Sequence, residues 1–395
     1  MENIELTCEQ LKQMDSSNYV LVDIRDESAV NYGMLPKAVH IPQEQLAEEN
    51  LSRLEDRIPK DKKIILYCTR GMFSKEKAEE LREAGYQAYS LSGGYAGWLL
   101  SYTKEAGEKS ETDREREGVE PSAADIEKSI RKKFHKQLFS RFAKAVRDYE
   151  LIQEGDKIAV CISGGKDSML MAKLFQELQK HRKVSFELVF LVMDPGYNEA
   201  NRQMIEYNAK RMELPITVFE SDIFDAVFDI EKSPCYLCAR MRRGHLYHKA
   251  KELGCNKIAL GHHYDDVIET ILMGMLYGGQ VQTMMPKLHS TNFEGMELIR
   301  PMYYIREEDI KHWRDYNKLH FLQCACRFTE TCSTCSAEGS SDSKRMEIKH
   351  MIAEMKKINP FVESNIFKSV ENVNLSTVIA YKKDGVKHHF LENYK

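Results

Sequence analysis

No uninterrupted apolar run in the 395 residues approaches the ~20 that a membrane-spanning helix needs, so no membrane span is expected. The N-terminus, Met1-Glu2-Asn3-Ile4-Glu5, lacks the basic and apolar regions of a secretory leader, and a cytoplasmic protein is expected. An excess of positive charge is also missing, with 57 Lys and Arg against 61 Asp and Glu. A net charge of −4 excludes a globally basic nucleic-acid binder and leaves any RNA contact to local patches. In a reducing cytoplasm the ten cysteines read as thiolates or metal ligands and not as structural disulfides. What is present, 42% hydrophobic content, is ample for the cores of two or three domains.

The chain is organised around Lys157-Ile158-Ala159-Val160-Cys161-Ile162-Ser163-Gly164-Gly165-Lys166-Asp167-Ser168. The apolar run 158–162 suits a buried parallel strand, and a helix is predicted over 169–179. Between them Gly164 and Gly165 let the backbone approach an anion without a Cβ in the way, while loop amides and the helix N-terminus point at a phosphate. A Walker A loop is excluded, because Asp167 stands where that motif needs Ser or Thr. Ser-Gly-Gly-Lys-Asp-Ser resembles instead the pyrophosphate loop of the PP-loop ATPases, which adenylate a carbonyl oxygen. The resemblance implies that Ser163, Gly164, Gly165, Lys166, Asp167 and Ser168 bind ATP, with Lys166 and Asp167 holding phosphate charge and Mg²⁺.

Residues 1–103 alternate short strands, 19–24 and 63–67, with helices such as 75–84. Cys68-Thr69-Arg70-Gly71-Met72-Phe73-Ser74 follows a strand and opens a helix, which surrounds a thiol with backbone amides beside Arg70 and favours a nucleophilic thiolate. With Val22-Asp23-Ile24-Arg25, His40-Ile41-Pro42 and Gly93-Gly94-Tyr95-Ala96-Gly97-Trp98, this region resembles a single rhodanese domain. The resemblance implies that Cys68 carries sulfane sulfur as a persulfide, that Asp23 and Arg25 form a structural ion pair and that Trp98 packs.

Residues 104–121, dense in Glu, Lys, Arg and Asp, cannot bury enough surface to offset their ordering entropy and are expected to be a charged flexible linker. Ser122 and Asp125 make a capping-box-like start to a predicted helix that runs to about Tyr149. Its apolar residues Ile126, Ile130, Phe134, Leu138, Phe142 and Val146 repeat every four, and Lys128, Arg131, Lys132, Lys133, Lys136, Arg141, Lys144 and Arg147 cover the other faces. That basic surface suits either solvent or a phosphate backbone.

Strands predicted at 187–193, 216–219 and 257–260, interleaved with helices, give a doubly wound parallel sheet whose ligands sit at the strand C-terminal ends. The fold class expected is α/β throughout: a small rhodanese-like domain, then this nucleotide-binding sheet over 122–345, with a tail helix and strand over 346–395. Asp194 ends one strand and is placed at the nucleotide. Gly261-His262-His263-Tyr264-Asp265-Asp266 ends another, and Asp265 and Asp266 suit Mg²⁺ binding, polarisation of a nucleophile or a helix N-terminal turn.

Cys235-Tyr236-Leu237-Cys238 has the spacing that lets one turn present two thiolates to a metal, and Ala239-Arg240-Met241-Arg242-Arg243-Gly244 follows it. Cys324-Ala325-Cys326 and Cys332-Ser333-Thr334-Cys335 lie downstream, and spacing alone favours neither iron–sulfur nor a four-cysteine zinc site. With Gly-His-His-x-Asp-Asp, Pro286-Lys287-Leu288 and Arg300-Pro301, these motifs resemble the tRNA 2-thiocytidine synthetase family over about 134–326. The resemblance implies ATP and Mg²⁺ at Ser163–Ser168, Asp194, Gly261 and His262, and a [4Fe-4S] cluster on Cys235, Cys238 and Cys324. It also implies a tRNA substrate thiolated at a pyrimidine C2, cytidine 32 by family habit. Cys324 takes the third ligand position because it follows a strand-like stretch at 319–322. The fused rhodanese-like domain and the additional Cys326, Cys332 and Cys335 depart from the family pattern. Sulfur would reach Cys68 from a cysteine desulfurase or another persulfide donor and pass to the cluster cysteines of its own chain or of a homodimer partner, over a linker reach of roughly 20 to 25 Å. Two other readings fit the motifs: a non-thiolating PP-loop ligase or amidotransferase with a zinc site, and a regulatory protein that senses nucleotide and sulfane sulfur.

Overall fold

The computed structural model describes residues 3–395 except 31–32, 48–49, 52–53, 55, 109–119, 182, 198, 222–233, 322–343, 393 and 395. Two compact units result, Met1–His263 with Pro286–Ser340, and Tyr264–Met285 with Ser341–Lys395.

The larger unit carries two sheets. The first is built from β1 (Glu5–Leu6), β2 (Tyr19–Asp23), β3 (Val39–His40), β4 (Lys63–Tyr67) and β5 (Gln87–Leu91), in the order β1-β5-β4-β2-β3 with every pair parallel. Its central strands read as near-continuous apolar runs, Ile64 to Tyr67 being wholly buried, because helices cover both faces. The second sheet contains β6 (Lys157–Ile162), β7 (Glu187–Asp194), β8 (Ile216–Glu220), β9 (Lys257–Ala259), β10 (Lys287–His289) and β11 (Glu297–Ile299), in the order β10-β11-β9-β6-β7-β8. Only β10 against β11 is antiparallel. From β6 the chain steps outward to β7 and β8, then returns to the other side of β6 as β9. That reversal opens a crevice at the C-terminal ends of β6 and β9, the topological switch point where such sheets bind ligands.

One hydrophobic core runs through both sheets without a break, from Leu11, Tyr67, Tyr95 and Trp98 to Val160, Phe175 and Trp313. The buried Asp23–Arg25 pair, 2.6 Å apart, is the structural pair expected, and the Arg25 guanidinium lies 3.9 Å over the Tyr95 ring. Beneath the second sheet Cys161 and Cys255 are buried free thiols; burial pushes Cys161 up to about 12 and raises Cys255.

Three local expectations are corrected. The helix predicted from 122 begins as expected, with Ser122 Oγ accepting from Asp125 N–H and Asp125 accepting from Ser122 N–H, but it does not run unbroken. It divides into Ala123–Arg131, a π-helical turn His135–Phe139 and Ser140–Asp148. An apolar repeat of four outruns the 3.6-residue turn, and the wider turn, with Phe134 N–H donating to the Ser129 carbonyl, keeps Phe134, Leu138 and Phe142 on the core. The segment expected to be a coil from 104 instead begins as helix, since Gly94–Glu108 extends into it. Lys104, Glu105 and Ala106 are good helix formers, and residues 109–119 lie outside the described residues. The strand-like stretch at 319–322 is irregular as far as Phe321, where Leu319 and Phe321 bury their side chains and, among the described residues, pair with no strand; residue 322 lies outside the described residues.

The smaller unit combines helices Tyr264–Gly278, Lys344–Ile358 and Val362–Ser369 with a hairpin of β12 (Ala380–Lys383) and β13 (Val386–His389). Tyr264 stacks on Phe367 at 4.6 Å, and Glu269 is ion-paired to Arg345 at 2.8 Å.

Candidate functional site

Cys68 follows β4 and is buried, its Sγ accepting from Gly71 N–H at 3.1 Å and from Ser74 Oγ at 3.5 Å. Gly71 (φ 95°) caps the helix Met72–Glu83, so the sulfur faces a helix N-terminus, where negative charge is favoured. The loop is closed from behind: the Cys68 carbonyl accepts from Tyr95 N–H at 2.9 Å, and Thr69 from Ala96 N–H at 3.0 Å. This cradle needs Gly94 (φ 55°), where a Cβ would stand 2.4 Å from the Cys68 carbonyl and 2.7 Å from Gly71 N. Gly94→Ala is therefore expected to destabilise the protein by about 2 kcal/mol and to impair persulfide loading of Cys68. Thermal unfolding and a one-sulfur mass increment on Cys68 measure both; a variant that loads and unfolds like the parent contradicts this.

At the switch point, Gly164 (φ 86°) turns the chain out of β6 and Gly165 is the N-cap of the helix Lys166–Lys180. Ser168 ties the loop together: its Oγ accepts from Ser163 N–H at 3.1 Å, donates to the Gly165 carbonyl at 3.0 Å and lies 3.1 Å from Ser163 Oγ. Lys166 is only 1% exposed, its Nζ 3.1 Å from Asp167 Oδ2 and 3.2 Å from Glu307 Oε1. Glu307 also meets Lys311 at 3.4 Å. His263 Nε2 approaches Asp167 Oδ1 to 4.0 Å, and Gly261 packs so closely that a Cβ there would lie 3.2 Å from Ser168 N. The structure thus brings together Ser163, Gly164, Gly165, Lys166, Asp167, Ser168 and Gly261, with His262 next in the chain.

Glu307 was not singled out by its sequence context. It stands far along the chain, in the first turn of the helix Glu307–Tyr316, and only the fold reveals it as a partner of Lys166. The Arg-Glu-Glu-Asp run that opens this helix is the signal that could have marked it.

Asp194 ends β7, and its carboxylate closes a turn: Oδ1 accepts from Gly196 N–H at 2.9 Å and Tyr197 N–H at 2.6 Å, while Oδ2 meets Arg202 at 3.1 Å. Asp265 and Asp266 lie in the first turn of Tyr264–Gly278, in the smaller unit, where Asp266 pairs with Arg345 at 3.2 Å. Cys235 and Cys238 fall within the helix Pro234–Glu252, three positions apart. Cys324, with Cys326, Cys332 and Cys335, lies outside the described residues. Among the described residues no group of three or more His, Cys, Asp or Glu is set to hold a metal. Of the arginines after Cys238, Arg242 donates to Tyr197 Oη at 3.2 Å and Arg243 is exposed.

Two domain families match the chain, the rhodanese-like domain over residues 7–101 and the PP-loop domain over residues 90–326, which makes it a PP-loop protein fused to a rhodanese-like domain. Among curated relatives, the tRNA-cytidine(32) 2-sulfurtransferase of Alkalilimnicola ehrlichii is 38% identical over 251 residues, 62% of this chain and 76% of the relative. That of Alcanivorax borkumensis is 37% identical over 63% of this chain and 86% of its own, and that of Paracidovorax citrulli 34% over 71% and 86%. The chain belongs to this tRNA 2-thiocytidine family. Among solved structures, the U34-tRNA thiolase NcsA from Methanococcus maripaludis with its [4Fe-4S] cluster aligns at 21% identity and TM-score 0.47, over 61% of this chain and 80% of that one.

Proposed function

We propose that the protein is an ATP-dependent tRNA sulfurtransferase that adenylates a pyrimidine C2 carbonyl, that of cytidine 32, and replaces its oxygen by sulfur. The observation that carries the reading is the loop Ser163–Ser168 at the switch point, with a buried lysine beneath it, inside a chain whose relatives are named for this reaction. The C2 oxygen is a poor leaving group. Attack of that oxygen on the α-phosphorus of ATP releases pyrophosphate; sulfur then adds at C2, the C–O bond breaks and AMP departs. Loop amides and Lys166 hold the phosphates, Asp167 carries Mg²⁺ and Ser163 and Ser168 keep the loop shaped. Asp194 supports the adenosine side of the crevice through its turn, and Asp265 and Asp266 act on the nucleophile. Cys68 delivers the sulfur as a persulfide received from a cysteine desulfurase or similar donor. Releasing that sulfur at the sulfide level consumes two electrons, which a thiol reductant supplies.

A [4Fe-4S] cluster would be held by the thiolate pair Cys235 and Cys238, separated by two residues in a C-x-x-C spacing, with Cys324 completing the ligands. When bound, such a cluster supplies an iron with affinity for sulfide. Arg240, Arg242 and Arg243 follow on the same helix and suit tRNA phosphates.

The test is nucleoside mass analysis of tRNA incubated with anaerobically purified protein, ATP, Mg²⁺ and sulfide. A thiolated cytidine that requires ATP is expected, and its absence with iron-loaded protein sinks the reading. The same preparation is expected to be brown and to lose its iron in Cys235→Ser. A colourless protein holding stoichiometric zinc overturns the cluster assignment.

A further inference from the structure

The helix Gly94–Glu108 of the rhodanese-like domain lies along the helix Glu199–Arg211 of the PP-loop domain. Trp98 and Tyr102 stack at 5.2 Å, and the His320 ring meets both edge-on, at 5.0 and 5.1 Å. Tyr207 closes the group against Tyr102 at 6.0 Å. His320 is itself fixed, its carbonyl accepting from Asn208 Nδ2 at 2.8 Å, and Arg211 donates to the carbonyls of Asn317 and Lys318 at 3.0 and 3.1 Å. Beyond the connecting segment the chain returns to the same helix: Glu120 accepts from Tyr207 Oη at 2.9 Å and lies 3.6 Å from Arg211. Both ends of the connection are thus anchored on Glu199–Arg211, and the hydrophobic core crosses between the domains beside it.

We propose that the sulfur-carrier domain works docked, held on the PP-loop domain by an aromatic clasp of Trp98, Tyr102, Tyr207 and His320, and that it does not swing on the 104–121 segment. Cys68 itself is buried, but Met72 beside it is 71% exposed, so that edge of the loop is left in solvent by the docked pose. The clasp is also sensitive to acid. Burial, with Arg211 and Arg314 nearby and Asp315 opposing them, lowers His320 from the ordinary 6.5 to about 4. Tyr95 Oη and the Gly33 backbone complete its surroundings. Release from the clasp relieves part of the desolvation, so a released His320 binds protons more readily than the docked one and docking weakens as pH falls towards 4.

Trp98 and Trp313 are the two tryptophans of the chain, so Trp313→Phe leaves Trp98 as the sole reporter. In that background acrylamide is expected to quench Trp98 weakly, and several-fold more strongly after Tyr207→Ala or His320→Ala, substitutions on the face opposite the rhodanese-like domain. His320→Gln is expected to remove the acid-induced rise in quenching. Trp98 that is quenched freely in the parent, or unchanged by these substitutions, overturns the docking. A second arm rests on the sulfurtransferase reading. Inserting a flexible Gly/Ser stretch within 109–119 should leave persulfide-dependent thiolation unchanged, whereas a tethered carrier slows as effective concentration falls. A rate that drops with linker length overturns the proposal; shielded Trp98 without thiolation in any variant counts against the reaction and not the clasp.

Discussion

Lys166→Ala is expected to lower tRNA-dependent release of pyrophosphate from ATP by roughly a hundredfold to a thousandfold, the loss typical of one removed charge-stabilising donor. The wild-type ammonium is almost wholly buried between Asp167 and Glu307, so it is already positioned beneath the loop before any phosphate arrives. Its removal leaves two carboxylates facing the phosphates, which adds repulsion to the lost attraction. The pair Lys166→Ala/Glu307→Gln is accordingly expected to recover part of the ATP affinity though not the rate, because Lys311 no longer needs to balance Glu307. Iron content should be unchanged. Pyrophosphate release and equilibrium ATP binding separate the two effects, and a Lys166→Ala enzyme that thiolates at the wild-type rate removes the loop from the ATP site.

Cys68→Ala is expected to accept no sulfane sulfur and to depress thiolation severely when a persulfide is the donor, while retaining activity with excess free sulfide. The cradle explains the selectivity. Gly71 N–H and the Ser74 hydroxyl both donate to this sulfur, and the alanine variant keeps the fold of the loop but offers no atom to load. Rates measured with each donor, for wild type and variant, decide it: equal dependence on Cys68 with sulfide and persulfide would assign Cys68 to structure or to a later step.

The strands were legible because a doubly covered parallel sheet demands continuous apolar runs, and β2, β4, β6 and β7 fall within a residue of the stretches read from the sequence. The Ser122 capping box was legible for a similar reason, since both partners lie three residues apart. Contacts made by distant segments were not. Glu307 meets Lys166 only because the helix Glu307–Tyr316 packs beside Lys166–Lys180, and nothing local marks that pairing. His320 sits in a short irregular stretch that reads as a strand, and its role against Trp98 depends on how two domains meet. The charged composition of 104–121 carries no information on where the chain on either side of it is fastened.

The two silent thiols under the second sheet acquire a meaning in a protein that handles reactive sulfur. Persulfides, polysulfides and alkylating reagents select among cysteines by the fraction of thiolate each offers, and intrinsic reactivity counts only after that. Cys161, pushed to about 12, and Cys255, raised by burial, offer almost none at neutral pH, so both stay chemically quiet towards such reagents. Under native conditions a thiol-directed label is therefore expected to skip both positions, and their labelling would time the opening of the β6 core.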